Sequence, residues 1–286
     1  MKYILAVSGG VDSVVLLDMA TSGQLVIDGR KVEKQDCIIA HFDHGIRGEE
    51  SRCDANFVKL LSQKYGVMYI EKQGNLTKNS SEDAARQLRY SFLVDSANHY
   101  NAKIVTAHHK DDYVETMAIN VSRGTGWRGI APFGNKRILR PLLSLRKNEL
   151  YNYVLEHDLE WTEDATNVSN DYLRNRIRKT LNRKNIDTEQ LVQLGEEQHR
   201  VKKIIETEIE KFLDIRSRHF YIMIDTIVGL ELLRNITLSR LTRPQLGRLL
   251  HAIKTAKNDT TIECGNGIIV TFSTDEFVVK TPKEVI

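Results

Sequence analysis

Only three cysteines occur in the 286 residues, Cys37, Cys53 and Cys264, and no two of them form a C-x-x-C pair. That spacing excludes a disulfide framework and a cysteine zinc site, so reduced and mostly buried thiols are expected. Proline is nearly as scarce, at four, which argues against a long disordered linker. No uninterrupted apolar stretch is long enough to cross a bilayer. The opening MKYILAV is broken at once by SGGVDS, and no signal-peptide cleavage pattern follows. A cytoplasmic protein is therefore expected. A large charge of one sign is also missing, because a formal net charge of +3 is too small to mark a nucleic-acid protein by itself.

What charge there is gathers locally. From 171 to 184 the chain reads DYLRNRIRKTLNRK, six basic residues against the single acid Asp171. A charge run is usually a solvated helix face, yet this one is denser than solubility requires. At this length one large and one smaller domain are expected, since single cores rarely grow far beyond 200 residues. We place the boundary near Ile186, giving a first domain over residues 1–185 and a smaller one over 186–286.

Along the first domain, short apolar runs alternate with helical periodicity. Residues 3–7, 37–42, 67–70 and 103–107 read as strands, and 11–20, 51–65 and 81–100 as helices. Such alternation predicts an α/β fold, a Rossmann-like parallel sheet with helices on both faces. The strings SGGVDS, HFDHGIR and AHHKDD all follow strands, which places them on the carboxyl rim where such sheets bind ligands. Further on, a Gly-rich loop follows Asn120 and helices are expected over 146–157 and 188–213. The second domain is read as helix-rich, with a β-hairpin centred on Gly265-Asn266-Gly267.

The loop after the first strand carries the chemistry. A glycine pair there lets the chain turn tightly and aim several N–H groups at one point, and the next helix adds its positive end. Polyphosphate suits such a nest. Ser8 and Ser13 can add hydroxyl groups, and Asp12 can help to hold a divalent cation. Alone, SGG could be no more than a strand-to-helix turn. The loop also lacks the G-K-[ST] ending of a Walker motif, and with it the lysine that reaches a terminal phosphate.

SGGVDS resembles the pyrophosphate loop of the N-type ATP pyrophosphatases, the PP-loop family, whose members adenylate a substrate oxygen and release diphosphate. HFDHGIR (41–47), EDAARQLRYSFL (82–93), AHHKDDYVET (107–116) with RGTGWRGI (123–130), and RPLLSLRKNEL (140–150) narrow the resemblance to the tRNA(Ile)-lysidine synthetases. WTEDATNVSNDYLRNRIR (161–178) is similar to the same family, so the likeness covers roughly the first 180 residues. It implies a PP-loop catalytic domain that uses ATP and Mg2+ to activate the wobble cytidine of a CAU-anticodon tRNA(Ile). L-lysine then displaces AMP to give lysidine.

The resemblance implies ATP binding at Ser8, Gly9, Gly10, Val11, Asp12, Ser13, Arg123 and Gly124, with Asp12 also toward magnesium. Asp43, His108, Asp112 and Glu115 are the expected catalytic set. The last three are assigned to recognising or deprotonating the lysine amine, since Asp112 and Glu115 can share a helix face beside His108. Arg174, Asn175 and Arg178, in a segment similar to the family's R-N-x-x-R, are expected to bind tRNA, facing the nucleic acid or the mouth of the active site. The region after residue 185 is compatible with binding the tRNA body, with packing, or with a homodimer interface. Two rivals stand beside this reading. One is a tRNA cytidine thiolase, against which the cysteine spacing argues; the other is a nucleotide- or RNA-binding protein without catalysis.

Overall fold

The computed structural model describes residues 1–45, 48–74, 76, 80, 82–135, 137–162, 173–183 and 187–282. Arg47, Lys184, the stretch 163–172 and the side chains of Asn175 and Arg183 lie outside the described residues. Two compact units result, Met1–His199 and Arg200–Ile286.

In the first unit β1 (Lys2–Ala6) leads through the Ser8–Gly10 turn into α1 (Val11–Thr21). A small hairpin follows, β2 (Val26–Ile27) and β3 (Arg30–Lys31), turning at Asp28-Gly29, both with positive φ. Then come β4 (Cys37–Asp43), α2 (Glu49–Tyr65), β5 (Met68–Gln73), α3 (Glu82–Tyr100), β6 (Ala102–Val105) and α4 (Lys110–Ser122). A short β7 (Ile138–Leu139), α5 (Lys147–Glu156) and α6 (Leu173–Arg183) complete the pattern before the long α7 (Thr188–Glu210).

Five strands pair in the order β5-β4-β1-β6-β7, every pairing parallel. Alternation along β1 shows why helices are needed on both faces. Tyr3 and Leu5 join a core with Val14, Leu17, Val58 and Val154 from α1, α2 and α5. Ile4 joins a separate core with Phe92, Leu93 and Ala97 from α3. A sheet buried on both faces reads as continuous apolar sequence, and β4 is buried at all seven positions. The expected α/β architecture is thus the observed one. Strand order reverses direction between β1 and β6, and at such a switch point the loops splay apart to leave a crevice.

The start of α7 belongs with this unit because Val192 packs against Tyr113, Val114 and Met117 of α4. Within the second unit α8 (Arg218–Met223), α9 (Thr226–Ile236) and α10 (Arg243–Thr255) pack on a three-stranded antiparallel sheet. Its strands are β8 (Thr260–Gly265), β9 (Ile268–Phe272) and β10 (Phe277–Lys280). The expected hairpin is β8–β9, turning through Gly265, Asn266 and Gly267, all at positive φ. β10 adds a third strand to it, with Phe277 fully buried beside Tyr221.

Candidate active site

The loop after β1 is knitted by one hydroxyl. Ser13 Oγ accepts from the backbone N–H of Ser8 (3.2 Å) and of Gly9 (3.1 Å), and donates to the Gly10 carbonyl (2.9 Å). Ser13 is buried, so its hydroxyl shapes the loop from within. Gly9 takes φ +97°, and a Cβ there would stand 2.8 Å from Thr162 Oγ1. Both the conformation and the lack of space require glycine. The chain at Thr162 closes over this turn, its N–H donating to the Gly9 carbonyl at 2.9 Å.

A cavity of about 480 Å3 opens at the switch point, its wall including Asp12, His109, Asp111, Asp112, Glu115 and Lys147. Arg174, Arg178 and Thr188 line it as well. Asp12 lies in the first turn of α1, Asp111 and Asp112 in that of α4, and Lys147 and Thr188 open α5 and α7. Helix N-termini carry unsatisfied N–H groups and a partial positive charge. Several of them bordering one cavity make it a setting for an anion, although carboxylates stand on its wall.

His109 is the hub of those carboxylates. It is 3% exposed, with Nε2 3.4 Å from Asp112 Oδ2 and 3.8 Å from Asp12 Oδ2, and Nδ1 3.5 Å from Asp111 Oδ2. Burial opposes protonation, but the three acids outweigh it and the imidazole pKa is raised. Asp112 also accepts from the His109 backbone N–H at 3.1 Å. Asp111 accepts from the Lys147 N–H at 2.8 Å. Its own pKa falls to about 2, first through His109 and against the effect of burial. Lys147 Nζ reaches back to Asp12 Oδ1 at 2.6 Å and lies 5.0 Å from the Tyr151 ring centre.

Glu115, 2% exposed, meets two guanidinium groups. Arg178 bonds through Nε to Oε1 and through Nη2 to Oε2 (3.2 Å), and Arg174 Nε stands 3.5 Å from Oε2. Removing either partner from a carboxylate this deep would leave a buried polar group short of its hydrogen bonds. The basic helix α6 therefore turns Arg174 and Arg178 toward the cavity, the second of the two placements expected for them.

His108, Asp43, Arg123 and Gly124 are not among the residues that line this cavity. His108 points to a different neighbourhood: Nδ1 bonds Thr106 Oγ1 at 2.8 Å, and the ring packs on Phe133 at 4.9 Å. Burial lowers its pKa to about 3, and Arg140, Arg89 and Arg86 add to the effect against Asp112. A neutral imidazole of such low basicity is a hydrogen-bonding group and a poor acceptor for an ammonium proton at neutral pH. Asp43 ends β4 on the same rim, where Oδ1 accepts from the Gly45 N–H at 2.7 Å. Arg123 and Gly124 follow the C-terminal end of α4, about 20 Å along the helix from Lys110. The structure thus does not bring them together with Asp12 and Asp112.

Sequence reasoning left His109, Asp111 and Lys147 without a leading role. The doubled HH-x-DD of the fourth motif was the signal for the first two. For Lys147 only its presence in RPLLSLRKNEL pointed anywhere. A magnesium ion bound with nucleotide needs few protein ligands, because phosphate oxygens and water fill the remaining positions. Asp12, 30% exposed on the cavity wall, is a hard-oxygen ligand of that kind. Among the described residues no cluster of three His, Cys, Asp or Glu side chains is arranged to hold a metal unaided.

A glycine-pair loop with a hydroxyl at its centre, set at the switch point of a parallel sheet, defines a class. Residues 1–185 match the PP-loop domain family, and the chain belongs to it. Within that family the sequence is similar to tRNA(Ile)-lysidine synthases. That of Bacteroides thetaiotaomicron is 37% identical over 190 residues, covering 63% of this chain and 42% of that protein. The enzymes of Streptococcus sanguinis (38% over 185 residues; 62% and 40%) and Bacillus subtilis (37% over 191 residues; 62% and 39%) match similarly. The matched region spans about two-fifths of these relatives' length. Among solved structures, the U34-tRNA thiolase NcsA from Methanococcus maripaludis with its 4Fe-4S cluster has a TM-score of 0.56 at 15% identity, covering 70% of this chain and 72% of that one. At that identity the likeness concerns the fold. No helix among the described residues is long and apolar enough to cross a membrane.

Proposed function

We propose that this chain is an ATP-dependent carbon–nitrogen ligase that joins L-lysine to the wobble cytidine of a CAU-anticodon tRNA(Ile), releasing AMP and diphosphate. The observation that carries the reading is the cavity that gathers Asp12 from the loop with Asp112 and Glu115 from α4, in a chain whose relatives are named tRNA(Ile)-lysidine synthases. Residues 1–185 supply the catalytic domain and residues 186–286 a region that touches the tRNA body.

The Ser8–Ser13 loop and the start of α1 hold the polyphosphate. Bound magnesium, with Asp12 as its protein ligand, would offset charge on the departing diphosphate. The cytidine 2-carbonyl oxygen attacks the α-phosphorus, forming a C–O–P linkage and breaking the bond to diphosphate. Asp112 and Glu115 then orient the lysine ε-amine, Asp112 accepts its proton, the neutral amine attacks C2, and AMP leaves with the former carbonyl oxygen. Arg174 and Arg178 confine Glu115 to its place, and Asp43 shapes the β4 turn on the same rim.

The test is incubation of the protein with ATP, radiolabelled lysine and CAU-anticodon tRNA, followed by nuclease digestion. Label in a modified cytidine, dependent on both ATP and lysine, is the expected result. Sulfur incorporation without lysine would instead favour a thiolase. Cys37 argues against that chemistry, because it begins β4 at the end opposite Asp43, and burial raises its pKa to about 12. ATP binding with no product of either kind would leave a nucleotide- or RNA-binding protein.

A further inference from the structure

The phosphate loop brings N–H groups and a helix N-terminus but no cation of its own, since SGGVDS contains no lysine or arginine. Among the described residues, three Lys or Arg side chains line the cavity: Lys147, Arg174 and Arg178. The two arginines hold Glu115, whose side chain is 3% exposed. Withdrawing them would strand a buried charge, a large penalty. Lys147 is placed differently. Its partner Asp12 is 30% exposed and Lys147 itself 36%, so either group can leave the other and remain solvated or take a new partner.

We propose that Lys147 is the cation that binds the polyphosphate in this loop, passing from Asp12 to a phosphate oxygen when nucleotide enters. Three contacts aim it. Its backbone N–H is fixed to Asp111 at the start of α4, its ammonium stands over the Tyr151 ring, and Nζ sits 2.6 Å from the second residue of α1. A lysine far along the chain thereby occupies the place that a loop lysine fills in Walker sites, as a compact charge on a flexible stem. Asp12, once Lys147 has turned to phosphate, would be free to hold a magnesium ion, so the two cations need not compete for one carboxylate.

This inference rests on the ATP reading of the loop but not on lysine or tRNA, and its test uses neither. Calorimetric titrations with ATP, inorganic pyrophosphate and adenosine, each with magnesium, would compare wild type with Lys147→Met and Lys147→Arg. Lys147→Met is expected to weaken ATP and pyrophosphate by about ten-fold or more while leaving adenosine unchanged. Lys147→Arg should recover most of the loss. Circular dichroism checks folding, and Lys147→Gln replaces the methionine variant if that one is unfolded. Equal ATP affinity in wild type and the neutral variant overturns the assignment of Lys147 alone. A wild type that binds neither ATP nor pyrophosphate overturns it together with the nucleotide reading. Normal ATP binding without lysine transfer would sink only the proposed ligation.

Discussion

Glu115 and Arg218 are both buried ionic side chains, one in each compact unit, and their partners differ in kind. Arg218 is 9% exposed and donates to the main-chain carbonyls of Ile253, Ser273 and Ala256, at 2.8, 2.8 and 2.6 Å, and to Asn258 Oδ1 at 3.3 Å. Those acceptors belong to the end of α10 and the strand connections, and they cannot turn away. Glu115 is held by side chains, Arg174 and Arg178, which are themselves 27% and 40% exposed on a cavity wall. A buried charge satisfied by backbone is part of the architecture. One satisfied by side chains on a cavity wall stands where an entering ligand meets those same side chains, whereas Arg218 directs its donors mainly to main-chain carbonyls.

The comparison can be broken first at the rim. Asp12→Asn should lower formation of adenylated tRNA by roughly 100- to 1,000-fold, the scale of losing one charge-stabilising group. Its melting temperature should hardly move, since the pair with Lys147 is about one-third exposed. Rapid-quench assays with and without lysine would also test Asp112→Asn, for which the proposed role at the amine predicts that the adenylate accumulates. If both variants lose adenylation equally, Asp112 belongs to the nucleotide site.

Arg218→Met should do the reverse. Three carbonyls would lose a charged donor, costing about 2–4 kcal/mol in stability, while ATP affinity measured below the melting transition stays at the wild-type value. Loss of nucleotide binding in that folded variant would mean that the second unit's architecture also governs the site. The smallest effect is a titration. The Asp111 carboxyl should titrate near 2 by carbon-detected NMR, and His109→Asn should move it back toward the ordinary 3.8. The sign follows from a depressed folded pKa: the contribution to stability is complete above the ordinary value and fades as pH falls toward 2. No upward movement in His109→Asn would show that Lys147 and Arg146 alone set the carboxyl.

The sheet was legible because periodicity and burial agree. β4 was expected over 37–42 and runs Cys37–Asp43, and α1 over 11–20 and runs Val11–Thr21. β7 was missed, since two residues cannot display a period, and so was the β2–β3 hairpin despite its Asp-Gly turn. Motif order led to the rim where the cavity opens, yet side-chain pairing is a property of the folded chain. Nothing in a local pattern says that Arg178 meets Glu115 or that Lys147 reaches Asp12. Arg123 illustrates the converse. It follows α4 closely in sequence, but the length of that helix carries it away from the residues at its start.

The central place of β1 has a consequence for how the chain is made. Lys2 pairs with Ala102 and Tyr3 with Cys37, so β1 is flanked on both sides by strands synthesised after it. Until β6 emerges, one edge of an apolar strand has no neighbour, and closing such long loops is slow. Vectorial synthesis therefore makes the phosphate loop, which hangs from the end of β1, before either strand that flanks it, so the loop reaches its final form only after both have arrived.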